Sequence, residues 1–370
     1  MRSHTLLRSR PMRRSCPMRR SCPMLGRALA CLLAAAVAGG AAARAQEEVY
    51  PRGINKETAA AIARGLEYLN RAQSPTDGCW RSGGGTGSYP AAMSGLAGMA
   101  LVASGSTPTR GKYWHAVRQG CEYLMKHADA GSGVISVAQE EGRSMYGHGF
   151  ATLFLASVYG MEEGADIQER LHGVLTRAVR LIGQAQSGAG GWLYTPDSGG
   201  DEGSVTVTQV QALRACRMAG IVVDKRTIDR AVDYIKKCQN ADGGISYQLG
   251  TRGESRPAIS AAGIAVLYNA GFYDDQPFVD KALKYVQKHV NPTSDNTGHH
   301  FYTQLYYAQA LYQRGGKDWD DYLAKFAPWL LRQQRPDGSW DSDGVGPVYA
   351  TAIGLIILQL PYALVPIYQR

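Results

Sequence analysis

The stretch IDRAVDYIKKCQNADGGI, Ile228–Ile245, decides the fold. Ile228, Ala231, Val232 and Ile235 fall at i, i+3, i+4 and i+7, which is one buried stripe of an α-helix. Gln239 follows four residues after Ile235, and Asp242-Gly243 then supplies the chemistry of a tight turn. Taken alone this is an ordinary amphipathic helix with a stop signal. Its meaning comes from recurrence.

The same register reappears at five other places. With Leu69, Leu124, Ile182, Val286 and Leu330 as reference points, the residues seven, four and three before them are Ile62/Gly65/Leu66, Val117/Gly120/Cys121, Leu175/Ala178/Val179, Val279/Ala282/Leu283 and Leu323/Phe326/Ala327. Each striped helix is followed by a Gly/Asp-rich loop and then by a segment that is apolar nearly all round. These second segments are Pro90–Ser104, Tyr146–Tyr159, Ser204–Ala219, Pro257–Ala270, His300–Arg314 and Val348–Leu360. Five end at a glycine (Gly105, Gly160, Gly220, Gly271, Gly315) and the last at Pro361, as helix C-termini commonly do. A pair of this kind cannot bury its apolar faces alone and has to stack on neighbours. The last inner segment is as apolar as the others and leaves no polar cap. Six pairs therefore close on themselves, and the expected fold is all-α, an α6/α6 toroid of six inner and six outer helices spanning about residues 55–361 within a domain of residues 46–370.

The first 45 residues read differently. They hold nine Arg, no Lys and no acid, then an apolar run from Ala28 to Ala43 and an Ala43-Arg44-Ala45 cleavage pattern. This is the form of a signal peptide for export to the periplasm or the exterior, with Met24 as the expected start after the tandem PMRRSC. Without it the net charge of +9 vanishes, since 31 basic residues remain against 31 acidic ones. No nucleic-acid footprint is left, and no transmembrane segment is expected in the mature chain. Cys79, Cys121, Cys216 and Cys238 remain after cleavage, at spacings that match neither zinc sites nor small disulfide scaffolds. No metal and no cofactor are expected.

Four loops repeat one pattern: Gln73 to Trp80, Gln186 to Trp192, Gln239 to Ile245 and Gln334 to Trp340. The physical reading is a staple, with the Gln amide bonding the last free carbonyls of its own helix and the Trp covering the seam to the next pair. Ala128 and Val290 stand at the Gln position in pairs two and five. These copies resemble the QW repeats of the squalene cyclase and protein prenyltransferase superfamily. The segments Met145–Ala151, Gly190–Pro196 with Ser204–Gln209, and Tyr349 to Arg370 are similar to exported bacterial toroids carrying the prenyltransferase/squalene oxidase repeat. The resemblance implies a terpenoid cyclase-like α/α toroid with a hydrophobic, isoprenoid-like ligand.

The chemistry that this resemblance implies does not carry over residue by residue. The acidic motif of class II cyclases has a literal match at Asp318-Trp319-Asp320-Asp321, but at the start of an outer helix, where acids face solvent or favour the helix dipole. At inner helix three, Ser204 and Val205 replace the paired Asp. Glu254, Arg256 and Thr303 stand where a prenyltransferase would hold zinc, and the adjacent His299 and His300 read as a solvated helix start. Gly120-Cys121-Glu122 falls short of a thioester motif, because Cys121 sits in the buried stripe. What remains is the ring mouth. Asp201 or Glu202 is the candidate acid and His148 the candidate base, with Tyr89, Tyr146, Thr206, Gln209, Arg256, Tyr302 and Tyr349 as candidate ligand contacts. Two functions follow: a toroid that holds a hydrophobic ligand or a protein partner in or on the ring without chemistry, or an enzyme acting on an isoprenoid or, with Glu140, Glu141, Asp197 and Glu254 in the same loops, on a polysaccharide. For His148 the alternative is a structural hydrogen bond to a loop.

Overall fold

The computed structural model describes residues 49–369 apart from 198, 274, 275 and 343. The proposed signal peptide, with Cys16, Cys22 and Cys31, lies outside the described residues. Among the described residues twelve α-helices alternate along the chain, outer then inner. The outer ones are α1 (Lys56–Ala72), α3 (Trp114–Lys126), α5 (Ala165–Ala185), α7 (Lys225–Lys237), α9 (Gln276–His289) and α11 (Gly316–Gln333). The inner ones are α2 (Pro90–Ala103), α4 (Ser144–Val158), α6 (Gly203–Met218), α8 (Pro257–Asn269), α10 (His300–Arg314) and α12 (Pro347–Gln359). Only isolated β-bridges occur among the described residues.

Each inner helix packs on the two inner helices of the adjacent pairs, and α12 packs on α2, which closes the ring. The stripes explain why. In α7, Ile228, Ala231, Val232, Tyr234 and Ile235 are buried, while in α12 every residue from Ala350 to Gln359 is. An outer helix has one apolar face to hide, whereas an inner helix is buried nearly all round. No helix among the described residues is long and apolar enough to cross a membrane.

The repeated loop is a staple between pairs, and its wiring differs from the expectation. The Gln amide does not bond its own helix. Gln186 Nε2 donates to Gly190 O within its turn and to Thr227 O in the first turn of α7, both at 2.8 Å. Gln73, Gln239 and Gln334 do the same to Ala116 in α3, Phe278 in α9 and Ala61 in α1. Gln73, Gln186 and Gln334 are C-caps with an extended backbone, which turns the side chain away from the helix it ends and toward the next one. The helix's own carbonyl goes instead to the indole: Trp80, Trp192 and Trp340 Nε1 donate to Leu69, Ile182 and Leu330 O at 2.7 Å. Those three acceptors are the reference points of the sequence stripe. The buried Trp rings do cover the seam, Trp80 against Gly120 of α3 and Trp340 against Gly65 of α1. A Cβ on Gly65 would stand 2.8 Å from Trp340 Cζ3, so glycine in the stripe makes room for the indole.

Candidate functional site

Outer-to-inner loops gather at one end of the ring, where the inner helices begin with four unpaired N–H groups each. Neighbouring loops contribute to capping α4 and α6. Tyr194 O accepts from Met145 N at the start of α4, and Tyr247 O accepts from Gly203 N at the start of α6, both at 2.9 Å. Glu202 caps α6 from within: its Oε2 accepts from Ser204 N at 2.8 Å and from Ser204 Oγ, and its Oε1 accepts from Val205 N. It is completely buried, and burial pushes its carboxyl above the usual range while these donors pull it back.

Ser204 is the hub of a phenol cluster. Its Oγ is hydrogen-bonded to Tyr146 Oη, and its carbonyl accepts from Tyr302 Oη at 3.3 Å across the ring. Tyr194 and Tyr247 share a hydrogen bond between their hydroxyls, and the Tyr146 and Tyr194 rings lie 5.9 Å apart. Tyr306 carries the cluster inward, its ring 4.9 Å from that of Tyr302, and Tyr349 in the first turn of α12 lies close enough to help raise the Tyr302 hydroxyl. Burial raises the hydroxyls of Tyr146, Tyr247, Tyr302 and Tyr306, so these groups donate and accept hydrogen bonds at neutral pH as neutral phenols. Arg143 lies over the Tyr194 ring, 5.2 Å from its centroid.

The structure brings Tyr146, Glu202, Tyr302 and Tyr349 together, leaves Tyr89, Asp201 and Arg256 at the same end in local contacts of their own, and sets His148, Thr206 and Gln209 in the scaffold. His148 points outward between the helical layers. Its Nδ1 accepts from Ile135 N at 3.1 Å and its Nε2 donates to Ala178 O of α5 at 3.3 Å. It is completely inaccessible, and burial lowers its pKa to about 4. Position explains this. Ser94, Thr206, Ser260 and Thr351 accept the corresponding loop N–H from Trp80, Trp192, Ile245 and Trp340 in four of the other pairs. His148 holds that place in pair two, and Thr206 is accordingly a loop anchor as well. Asp201 accepts from Leu249 N at 3.1 Å, and Gln209 donates to Met145 O at 2.8 Å between α6 and α4. Arg256 is paired with Glu254 at 2.7 Å near the surface, and Tyr89 donates to Thr86 O. The Asp318–Asp321 acids make surface ion pairs with Arg314, Arg52 and Lys317. His300 is buried edge-on to Trp329 at 4.8 Å rather than solvated, while His299 is exposed.

One of the loop carboxylates named from the sequence takes a role the sequence does not show. Glu140, in a 3-10 turn over Ala138–Arg143, reaches back to the start of α2, where its Oε1 accepts from Ala91 N at 2.9 Å and Ala92 N at 3.2 Å. Its Oε2 has no partner, faces Gly147 of α4, and the residue is 2% exposed. Burial raises its pKa to about 7. Nothing local signals this, because the capped helix lies 48 residues earlier in the chain.

The chain is an α/α toroid with the terpenoid cyclase-like fold. It aligns with the type II terpene cyclase MstE from Scytonema in complex with merosterolic acid A at a TM-score of 0.59 and 15% identity, over 84% of this chain and 98% of that one. The MstE complex with geranylgeranyl dihydroxybenzoate aligns at 0.57 and 15%, with the same coverages. An α-1,6-mannanase of Salegentibacter sp. HEL1_6 in complex with α-1,6-mannotriose aligns at 0.59 and 10% identity, over 83% of this chain and 99% of that one. No family model and no curated protein matches the sequence.

Proposed function

We propose that this toroid is exported and acts by binding rather than by chemistry, holding an isoprenoid-like molecule with a hydroxylated head group against the phenol-lined mouth. One observation carries the reading. The candidate pair of acid and base is engaged in the scaffold, Glu202 in the cap of α6 and His148 in two backbone hydrogen bonds. An acid with both oxygens on backbone donors and a base facing away from the mouth have no substrate between them. The mouth itself offers flat apolar rings with hydroxyl edges, which suit a ligand that is apolar along its length and polar at its end. The MstE complex with geranylgeranyl dihydroxybenzoate gives that ligand class its precedent in this fold.

A second reading rests on the polarity of the interior. Gln211 on α6 and Gln309 on α10 hydrogen-bond at 2.6 Å across the ring, in place of the hydrocarbon lining that a polyene prefers. Phenols and amides also hydrogen-bond sugars, so an α-1,6-mannan is the competing ligand. Parallel titrations with geranylgeranyl dihydroxybenzoate and α-1,6-mannotetraose, read by native mass spectrometry, separate the two. Binding of the first with no mass change on incubation supports the main reading. Conversion of either ligand, with loss of conversion in Glu202→Gln, sinks the non-catalytic claim.

A further inference from the structure

The chain continues after the ring has closed. A 3-10 turn over Leu360–Tyr362 follows α12, and Ala363 then takes φ 54°, a left-handed conformation unusual for a residue with a Cβ. A second 3-10 turn, Pro366–Tyr368, packs on α6 and α10. In the ring order α6 stands opposite α12, so the last residues cross the bore at the end away from the mouth. Val365, Ile367 and Tyr368 are buried there, whereas Leu364 is 51% exposed.

The segment is held by the apolar packing of Val365, Ile367 and Tyr368, while its hydrogen bonding to the ring is slight. Gln313 Nε2 donates to Ile367 O at 3.4 Å and Tyr312 Oη to Gln369 Oε1 at 3.3 Å, both long. A void of about 10 Å³ lies between the segment and Ala103, Ile356 and Gln359. Behind it runs a polar stripe of α10, Tyr302, Tyr306, Gln309 and Gln313, which meets α6 at one end and the chain terminus at the other. Gln309 Nε2 and Gln313 Oε1 are buried without partners. An amide left unpaired in a closed core is a standing cost, and a wall that is periodically opened gives it a use.

We propose that residues 364–369 are a stopper, which swings out about Ala363 without unfolding the ring and uncovers an amide-lined bore for a small neutral hydrogen-bonding molecule. The stripe carries hydroxyl and amide groups and no charge, so neutral solutes enter and ions are held back. This goes beyond the mouth site and does not depend on what binds there.

The test uses the full chain carrying Gln309→Cys, labelled with iodoacetamide, itself a small neutral amide, and mapped peptide by peptide. Cys79, Cys121, Cys216 and Cys238 are buried and free, so they time global unfolding in the same tube. The thiol at position 309 should react at least tenfold faster than those four, and another tenfold faster when the chain ends after Ala363. Anionic iodoacetate should lag by more than tenfold after correction for intrinsic reactivity. Labelling at the rate of the four native thiols would make the segment a fixed part of the core, and equal entry of iodoacetate would remove the neutral-solute claim. Hydrogen exchange on the unsubstituted chain probes the same opening without a variant. Amides of 364–369 should open well before those of α6 and α10, and exchange only through global unfolding overturns the stopper.

Discussion

Two buried ionisable residues have opposite pH signatures. Glu140 has its pKa raised from 4.5 to about 7 by burial, so the folded chain holds a proton that the unfolded chain has released between those values. Its contribution is fully present below pH 4.5 and is lost as pH rises through 7, by at most about 3 kcal/mol. Glu140→Gln should flatten that slope in urea unfolding between pH 4.5 and 7.5, and an unchanged slope would mean that Glu140 titrates like a surface acid. His148 has its pKa lowered from 6.5 to about 4, so its contribution is present above 6.5 and lost as pH falls toward 4. His148→Ala leaves Ile135 N unpaired and opens a cavity in the core, while Ala178 O keeps its partner within α5, and should cost about 2–4 kcal/mol at pH 7. If His148→Ala were fully stable yet defective in ligand binding, the histidine would belong to the site after all. Its role was open in the sequence because the loop anchors Ser94, His148, Thr206, Ser260 and Thr351 lie 11 to 15 residues after the N–H they accept, with no fixed offset.

Among the elements, the stripes were readable because a 3.6-residue period survives any change of loop length, and all six reference points are buried. The staples were readable as a motif but not in their wiring, since a side chain at a helix end reaches its own carbonyls or the next helix equally well on sequence spacing. The backbone at Gln186 settles it in favour of the next helix. Gln186→Ala should therefore cost about 1–3 kcal/mol by releasing Gly190 O and Thr227 O together, and hydrogen exchange should rise at the start of α7 rather than at the end of α5. Faster exchange at the α5 end instead would restore the intrahelical wiring. Gly120→Ala tests the indole seam. Its Cβ would stand 2.9 Å from Trp80 Cζ3, and the ring is fixed by its bond to Leu69 O, so a loss of about 1–3 kcal/mol is expected in thermal denaturation. The capping of α2 by Glu140 and the crossing of the bore by the terminal residues left no trace in periodicity, because each joins parts of the chain that no local pattern links.

At the scale of the whole molecule, closure makes the first and last pairs interior ones. Gln334 Nε2 donates to Ala61 O at 2.8 Å just as Gln186 does to Thr227, Gln359 Nε2 reaches Ala100 O at 3.0 Å, and Arg71 adds a bond to Asp337 O at 2.8 Å. An open array of helix pairs frays from its ends, since terminal pairs have one neighbour instead of two. A closed one has no terminal pair. Amides of α2 and α12 should accordingly be as protected as those of α6 and α8, and Gln334→Ala should destabilise as much as Gln186→Ala, to within about 0.5 kcal/mol. Were the closing staple dispensable, Gln334→Ala would be silent and exchange would run in from pairs one and six. In a closed ring the loss at that staple instead spreads around the whole circuit, because α12 rests on both α10 and α2 and neither can move without the other.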